Sequence, residues 1–198
     1  MLVKDSSNLE IHLLKIEIEN TGHLTNTYVI KDKKTNKLLV IDPAYDGKKI
    51  LKDLEEIGGE LDAIVVTHSH ADHIAGLASL VNGTYAKVYV HSLDKEGLHD
   101  ALLNEEEIVK TKVENVDYEN VISVENDDEI EFGDVLLTVM HTPGHTKGRA
   151  VLPEFKKLIG EKAFMKGLQI YFENNKYTTT MGTIAEIETE TVGENTVV

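Results

Sequence analysis

The sequence predicts an α/β sandwich. Two segments with period-two alternation open the chain. Two later apolar runs of strand length then alternate with helically spaced residues, and ligand-type side chains gather where the first of those runs ends. In chain order, Glu10 to Glu19 alternates near its end like a half-buried strand. Asn26 to Ile30 and Leu38 to Ile41 flank the polar run Lys31 to Lys37, which suits a hairpin. Asp46 to Ile57 carries Ile50, Leu51, Leu54 and Ile57 at helical spacing, and Gly58-Gly59 stops it. Ala63 to Val66 is a continuous apolar run, the pattern of a buried strand. A helix from about Asp72 to Leu80 and a strand from Lys87 to Val90 follow. Beyond them the spacing predicts an exposed helix around Leu102 to Lys110 and strands near Val121 to Val124 and Val135 to Met140. This ββ-then-βα-βα order suggests an α/β sandwich rather than a pure bundle or barrel.

The 198 residues suffice for one domain with a real core, and no linker or repeat divides them, so residues 1–198 are read as a single domain. The balance is acidic: 20 Lys and Arg against 35 Asp and Glu leave a net charge of −15, which repels phosphate backbones and argues against nucleic acid. The charge is uneven. Residues 94–134 hold fifteen acids and three lysines, read as a solvated face rather than as a cation-attracting surface around a site. Zero cysteines exclude disulfides, thiolate metal sites and a Cys nucleophile, so any metal is held by nitrogen and oxygen. The N-terminal residues lack the apolar core of a signal peptide, and no apolar run approaches the roughly 18 residues of a membrane span. The expectation is a soluble cytoplasmic chain with no membrane partner. Oligomeric state is not legible.

Chemistry concentrates in two motifs. Thr67-His68-Ser69-His70-Ala71-Asp72-His73-Ile74-Ala75-Gly76 places four ligand-type residues within six positions, directly after the buried strand. His68 and His70, two apart at a strand end, project to one side, while Asp72 and His73 turn away where a helix begins. Such a change of backbone can aim two ligands at one metal and two at another. Imidazole and carboxylate suit zinc, with iron or manganese as alternatives. The second motif, His141-Thr142-Pro143-Gly144-His145-Thr146-Lys147-Gly148, follows a strand and makes a tight turn that can present His145 inward. Three His with an open position is the arrangement of a catalytic zinc. His141 is read as a supporting residue. Neither a Gly-x-Ser-x-Gly elbow nor a phosphate-cradling loop is present, which disfavours serine hydrolases and nucleoside triphosphatases.

The pair of motifs resembles the metallo-β-lactamase-fold hydrolases, with the nearest likeness to glyoxalase II-like small hydrolases. Asn26-Thr27-Tyr28, Val40-Ile41-Asp42-Pro43 and Val90-His91 also look like family positions. The resemblance implies an αββα sandwich with an abbreviated C-terminal half and a binuclear site at one edge, occupied by one or two Zn²⁺. It implies that His68, His70 and His145 hold the first metal, that Asp72 and His73 hold the second, and that Asp42 orients ligands. The family's bridging Asp has its best match in Glu161, within Gly160 to Phe164; Glu161 is either that bridge or an ordinary surface residue. No histidine follows His145, where the family has a final ligand, so Glu173, Asn174 or Asn175 is left to stand there and the second metal is expected to be weak or absent. The glutathione-binding extension of true glyoxalase II is not expected either, and Thr183 to Val198 is expected to be a loose tail or edge strand. The expected activity is hydrolysis of a small acyl substrate, thioester foremost and lactone or other ester next. A metal-bound hydroxide makes the attack and Asp72 orients it. The alternative is a degenerate, non-catalytic metal-binding or interaction protein.

Overall fold

Strands form where the chain alternates or runs apolar, and they pair in the order in which they occur. The computed structural model describes residues 1–18 and 24–151. Strands β1 (Leu2–Asp5), β2 (Leu9–Glu17), β3 (Leu24–Asp32) and β4 (Lys37–Ile41) are antiparallel neighbours. Strands β5 (Glu60–Val66), β6 (Lys87–His91) and β7 (Val121–Val124) then add in parallel, giving a seven-stranded sheet. The β3–β4 pair is the expected hairpin, with Asp32 opposite Lys37 at its closed end.

Parallel neighbours need crossovers, and helices supply them. Helix α1 (Gly47–Ile57) joins β4 to β5; α2 (Ala71–Ile74) and α3 (Leu77–Thr84) join β5 to β6. The Asp46 carboxylate caps α1 by accepting from Lys49 N at 2.9 Å, and Gly58 ends the helix at φ 71°, a conformation a side chain would resist. Ile50 and Leu54, one turn apart, are buried in a core shared with Leu38, Val40, Ile64, Val66, Leu77, Leu80, Val88 and Val90. Burial of such side chains stabilises by about 1.5–3 kcal/mol each. The alternate residues Leu39 and Ile41 of β4 are buried as well, which is why that strand reads as a continuous apolar run. The opposite face meets a ribbon of β8 (Glu129–Phe132) and β9 (Val135–Thr138), whose Ile130, Phe132 and Leu137 are buried. The ribbon is pinned at its turn, where Asp134 N donates to Asp32 at 2.9 Å and Gly133 N to Asp62 at 3.3 Å.

Several elements differ from expectation. The helix predicted over 72–80 is two helices, because Gly76 N leaves the ladder to donate to Ala44 O at 2.7 Å. A Cβ on Gly76 would stand 2.5 Å from Pro43 O, so only glycine permits that approach. The helix predicted over 102–110 shrinks to α4 (Glu106–Val109), bracketed by left-handed Glu105 and Lys110 at φ 60° and 57°. Before it, Asp100 accepts from Leu102 N and Leu103 N and forms turns instead. The predicted 135–140 strand divides into β9 and β10 (Met140–His141), since both backbone groups of Val139 pair with Asp127 and Asp128. Strand β10 pairs with β11 (Ala150–Val151). Strands β1 and β8 were not legible. Glu161 in its 160–164 segment, Glu173, Asn174 and Asn175, and the 183–198 tail lie outside the described residues. Among the described residues no helix is long and apolar enough to cross a membrane.

Candidate metal centre

The carboxyl ends of β4, β5 and β6 finish at one edge of the sheet and deliver Asp42, Thr67-His68 and His91 there, the place where open α/β sheets bind ligands. Beyond β5 the chain remains extended to His70 (φ −66°, ψ 144°) and then turns into α2. That break in backbone direction separates His68 and His70 from Asp72 and His73. The second motif closes its own turn, with Thr142 N donating to Arg149 O, Gly144 N to Thr146 O and His141 Nε2 to Lys147 O at 2.8 Å. The His141 ring stacks on buried His91 at 4.0 Å.

His68 sits at the middle of the cluster. Its ring centroid is 4.9 Å from that of His70, 4.7 Å from His145 and 4.1 Å from His73. His70 Nδ1 and His145 Nε2 are 3.0 Å apart. One ligand atom from each of His68, His70 and His145 lies within 4.8 Å of the others. Two nitrogens on one tetrahedral zinc, with bonds of about 2.0–2.1 Å, stand roughly 3.3 Å apart, a separation that the His70 and His145 pair nearly has.

A hydrogen-bond chain sets which atom His68 offers. Asp42, 6% exposed and held at φ 52°, accepts from Thr67 N at 2.8 Å, Thr67 Oγ1 at 2.7 Å and His73 Nδ1 at 2.9 Å. The Thr67 hydroxyl gives its proton to Asp42, so its oxygen accepts from His68 Nδ1 at 3.1 Å. The proton of His68 is thereby assigned to Nδ1 from the network. Nε2 keeps its lone pair, and this atom is buried with no hydrogen-bond partner among the described residues. A buried polar atom left unpaired costs about 1–3 kcal/mol, and a cation among His68, His70 and His145 satisfies it. The donor set fits zinc, iron or manganese.

Asp42 also lies within reach of His68 and His73 as a third ligand-type group. Its two oxygens already accept three hydrogen bonds, which fix Thr67 and His73 beside the cluster. Because His73 Nδ1 donates to Asp42, its Nε2 lone pair faces Asp72 Oδ2 at 3.6 Å, a separation that two donors on one ion can span. The structure thus brings together all the predicted site residues that it describes: His68, His70, Asp72, His73 and His145.

Protonation favours free lone pairs on His68, His70 and His145. Burial pushes the His68 pKa well down, and the neighbouring His73, His70 and His145 add to it. Burial also lowers His70, partly offset by Glu105 and Asp72, and brings His145 to about 4 with help from His70. For His73 burial lowers the pKa, but the charge and hydrogen bond of Asp42 outweigh it and the net shift is upward. The lowered groups bind fewer protons folded than unfolded, so their share of stability is complete above about pH 6.5 and is lost as pH falls through the folded values. His73 has the opposite sign and loses its share as pH rises through its folded pKa. Chelator-treated protein is therefore expected to unfold at lower urea concentration at pH 5 than at pH 7.5. An equal or higher midpoint at pH 5 contradicts these directions.

Two residues at this edge were missed by sequence reasoning. Asp94 is 4% exposed, its carboxylate turned onto both motifs. Glu105 Oε2 stands 3.7 Å from His70 Nε2, with its loop tied down by Ala71 N donating to Asn104 O at 2.8 Å. Both belong to the acidic segment read as solvated. The left-handed backbone of Glu105 has no sequence signal; Asp94 is set apart only by its place just after a buried strand.

The family model described as Metallo-beta-lactamase superfamily matches residues 20–152. An uncharacterized protein of Aquifex aeolicus is 33% identical over 72% of this chain and 66% of its own length. A probable polyketide biosynthesis zinc-dependent hydrolase, PksB, of Bacillus subtilis is 27% identical over 71% of this chain and 56% of its own length. A hydroxyacylglutathione hydrolase of Aeromonas hydrophila is 27% identical over 75% of this chain and 51% of its own length. The chain therefore spans between about half and two thirds of these curated relatives. Among solved structures, the BLEG-1 B3 metallo-beta-lactamase superposes with TM-score 0.60 at 24% identity, over 71% of this chain and 66% of that one. TTHA1623 in a di-iron-bound form superposes with TM-score 0.60 at 26% identity, over 72% of this chain and 67% of that one.

Proposed function

The chain belongs to the metallo-β-lactamase superfamily and has its α/β fold, and from that premise we propose that it is a metal-dependent hydrolase of small acyl substrates, thioesters foremost. One observation carries the reading: the buried, unpartnered Nε2 of His68, whose Nδ1 is turned to Thr67 and whose ring packs against those of His70 and His145. The names of relatives support the substrate class, since hydroxyacylglutathione is a thioester and PksB is named a zinc-dependent hydrolase. A small molecule, not nucleic acid, is the partner that a net charge of −15 favours.

His68, His70 and His145 hold the first ion, zinc in this proposal, and Asp72 and His73 face the place of a second. An ion of this class, when bound, polarises a carbonyl and brings the pKa of its water to about 7. The chain's own residues do the rest. Asp42 keeps the proton of His73 on Nδ1, and Thr67 keeps that of His68 on Nδ1, so both Nε2 atoms stay available. Asp72, with its side chain 30% exposed at the mouth of the cluster, accepts a hydrogen bond from the attacking water and orients it toward the carbonyl.

The test is metal content per chain, measured together with hydrolysis of a thioester, a lactone and a β-lactam after loading with zinc, iron or manganese. The expected result is at least one equivalent of metal and turnover of the thioester ahead of the other two. Metal-loaded protein that hydrolyses none of them overturns the reading in favour of a non-catalytic metal-binding protein.

A further inference from the structure

Seventy-five residues separate His70 from His145, so the fold needs a device that holds the second motif's turn against the first. We propose that Asp94 is this device: a positioning residue that clasps both ligand-bearing turns and so sets the metal affinity of the His68, His70 and His145 cluster. The inference rests on the reading of those three residues as ligands.

Asp94 lies in the 3-10 helix Ser92–Leu98 that follows β6, and its side chain enters the interior between the two motifs. Oδ2 accepts from Ser69 N at 3.3 Å and from Thr146 Oγ1 at 2.6 Å, and Oδ1 accepts from Gly148 N at 2.8 Å. Ser69 stands between His68 and His70, and Thr146 follows His145. One carboxylate therefore addresses the backbone of the first ligand pair and both sides of the Thr146-Lys147-Gly148 segment beside the third ligand. Packing enforces the same closeness. A Cβ on Gly148 would lie 2.7 Å from Asp94 N and 2.8 Å from Oδ1, and one on Gly97 would lie 2.2 Å from Ser69 Oγ. The glycine that ends the second motif is thus required by its close approach to Asp94.

The clasp acts on docking rather than on the fold. The second turn is closed internally by His141 and Thr142, and Ala150 N donating to Thr67 O at 2.9 Å ties the segments together independently. Loss of Asp94 leaves both turns formed but lets His145 drift relative to His68 and His70. A bound cation must then pay the ordering entropy that the clasp otherwise removes.

Zinc affinity, measured by competition with a chromophoric chelator, tests this on the full chain with Asp94→Asn, Thr146→Val and His145→Ala. Asp94→Asn keeps an oxygen for Gly148 N and lets its amide donate to Thr146 Oγ1, but sets an N–H against Ser69 N, breaking the backbone link to the first motif. The expected result is zinc affinity reduced about 10–100-fold in Asp94→Asn, the range for loss of a group that orients ligands, with a smaller loss in Thr146→Val. Chelator-treated Asp94→Asn should melt somewhat below the chelator-treated parent, because buried Ser69 N loses its acceptor, and its rise on adding zinc should shrink as well. A merely structural residue lowers the metal-free melting temperature and leaves the zinc-induced rise unchanged, and that result overturns the proposal. Parent zinc affinity in Asp94→Asn also overturns it. If that variant does not fold, Thr146→Val carries the same two outcomes. His145→Ala separates the two readings: if it keeps parent affinity, the ligand assignment fails, and if it loses zinc while Asp94→Asn does not, only the clasp fails.

Discussion

His68→Ala is expected to strip the chain of its first metal and of hydrolytic activity, without destabilising the chelator-treated protein. His68 is the only residue whose ring meets those of His70, His73 and His145 together among the described residues, so its removal leaves two nitrogens where three converged. The loss of affinity should exceed the roughly 10–100-fold that follows loss of a merely supporting partner. Stability runs the other way. The substitution removes packed ring atoms, but it also removes an unpaired buried nitrogen whose burial costs about 1–3 kcal/mol, and the two nearly offset. Metal analysis of the purified variant and urea melts with and without chelator check both halves. Parent metal content in His68→Ala excludes this residue as a ligand. A strongly destabilised metal-free variant shows that Nε2 is satisfied in the native state.

The second large effect is at Asp42, where a single carboxylate serves both stability and the site. Asp42→Ala leaves the Thr67 N–H and the His73 Nδ1–H without acceptors at a mostly buried position. Each orphaned donor costs about 1–3 kcal/mol, so a loss of about 3 kcal/mol or more is expected. The backbone adds to it, because φ is 52° there and alanine tolerates the left-handed region less well than aspartate. Asp42→Asn separates the roles. An amide oxygen can still receive Thr67 N, so most stability survives. Its N–H₂, however, drives His73 to the tautomer protonated at Nε2 and removes the lone pair facing Asp72. The expected pattern is a clear fall in urea midpoint for Asp42→Ala, a small one for Asp42→Asn and loss of activity in both. Equal midpoints for parent and Asp42→Ala contradict the network described above.

Legibility in the sequence followed the range of the forces involved. The alternation of β2 and β3, the apolar runs of β4 and β5 and the capped α1 are set by neighbours within a turn or a pleat, and they formed where expected. Gly76 shows the limit. It reads as a helical residue by spacing, yet its N–H is claimed by Ala44 from another segment, and the helix breaks there. The 102–110 segment fails for a similar reason, with Asn104 O taken by Ala71 N and Asp100 capping the turns before it. Charge counting failed in one place as well. Asp94 and Glu105 are two acids in a run of fifteen, and nothing in composition distinguishes them from solvated neighbours.

The sequence by itself determined the donors and their local aim: cysteine-free chemistry, two imidazoles at a strand end, Asp72 and His73 where a helix starts, and His145 on a tight turn. Spacing of two to five residues fixes direction through the backbone alone. Tertiary structure decided which nitrogen of His68 and His73 stays free, that Asp42 spends its oxygens on orientation, and that Asp94 joins the motifs. Those outcomes depend on hydrogen bonds between residues 25 to 54 positions apart, and only the register of β4, β5 and β6 brings such residues to the same edge.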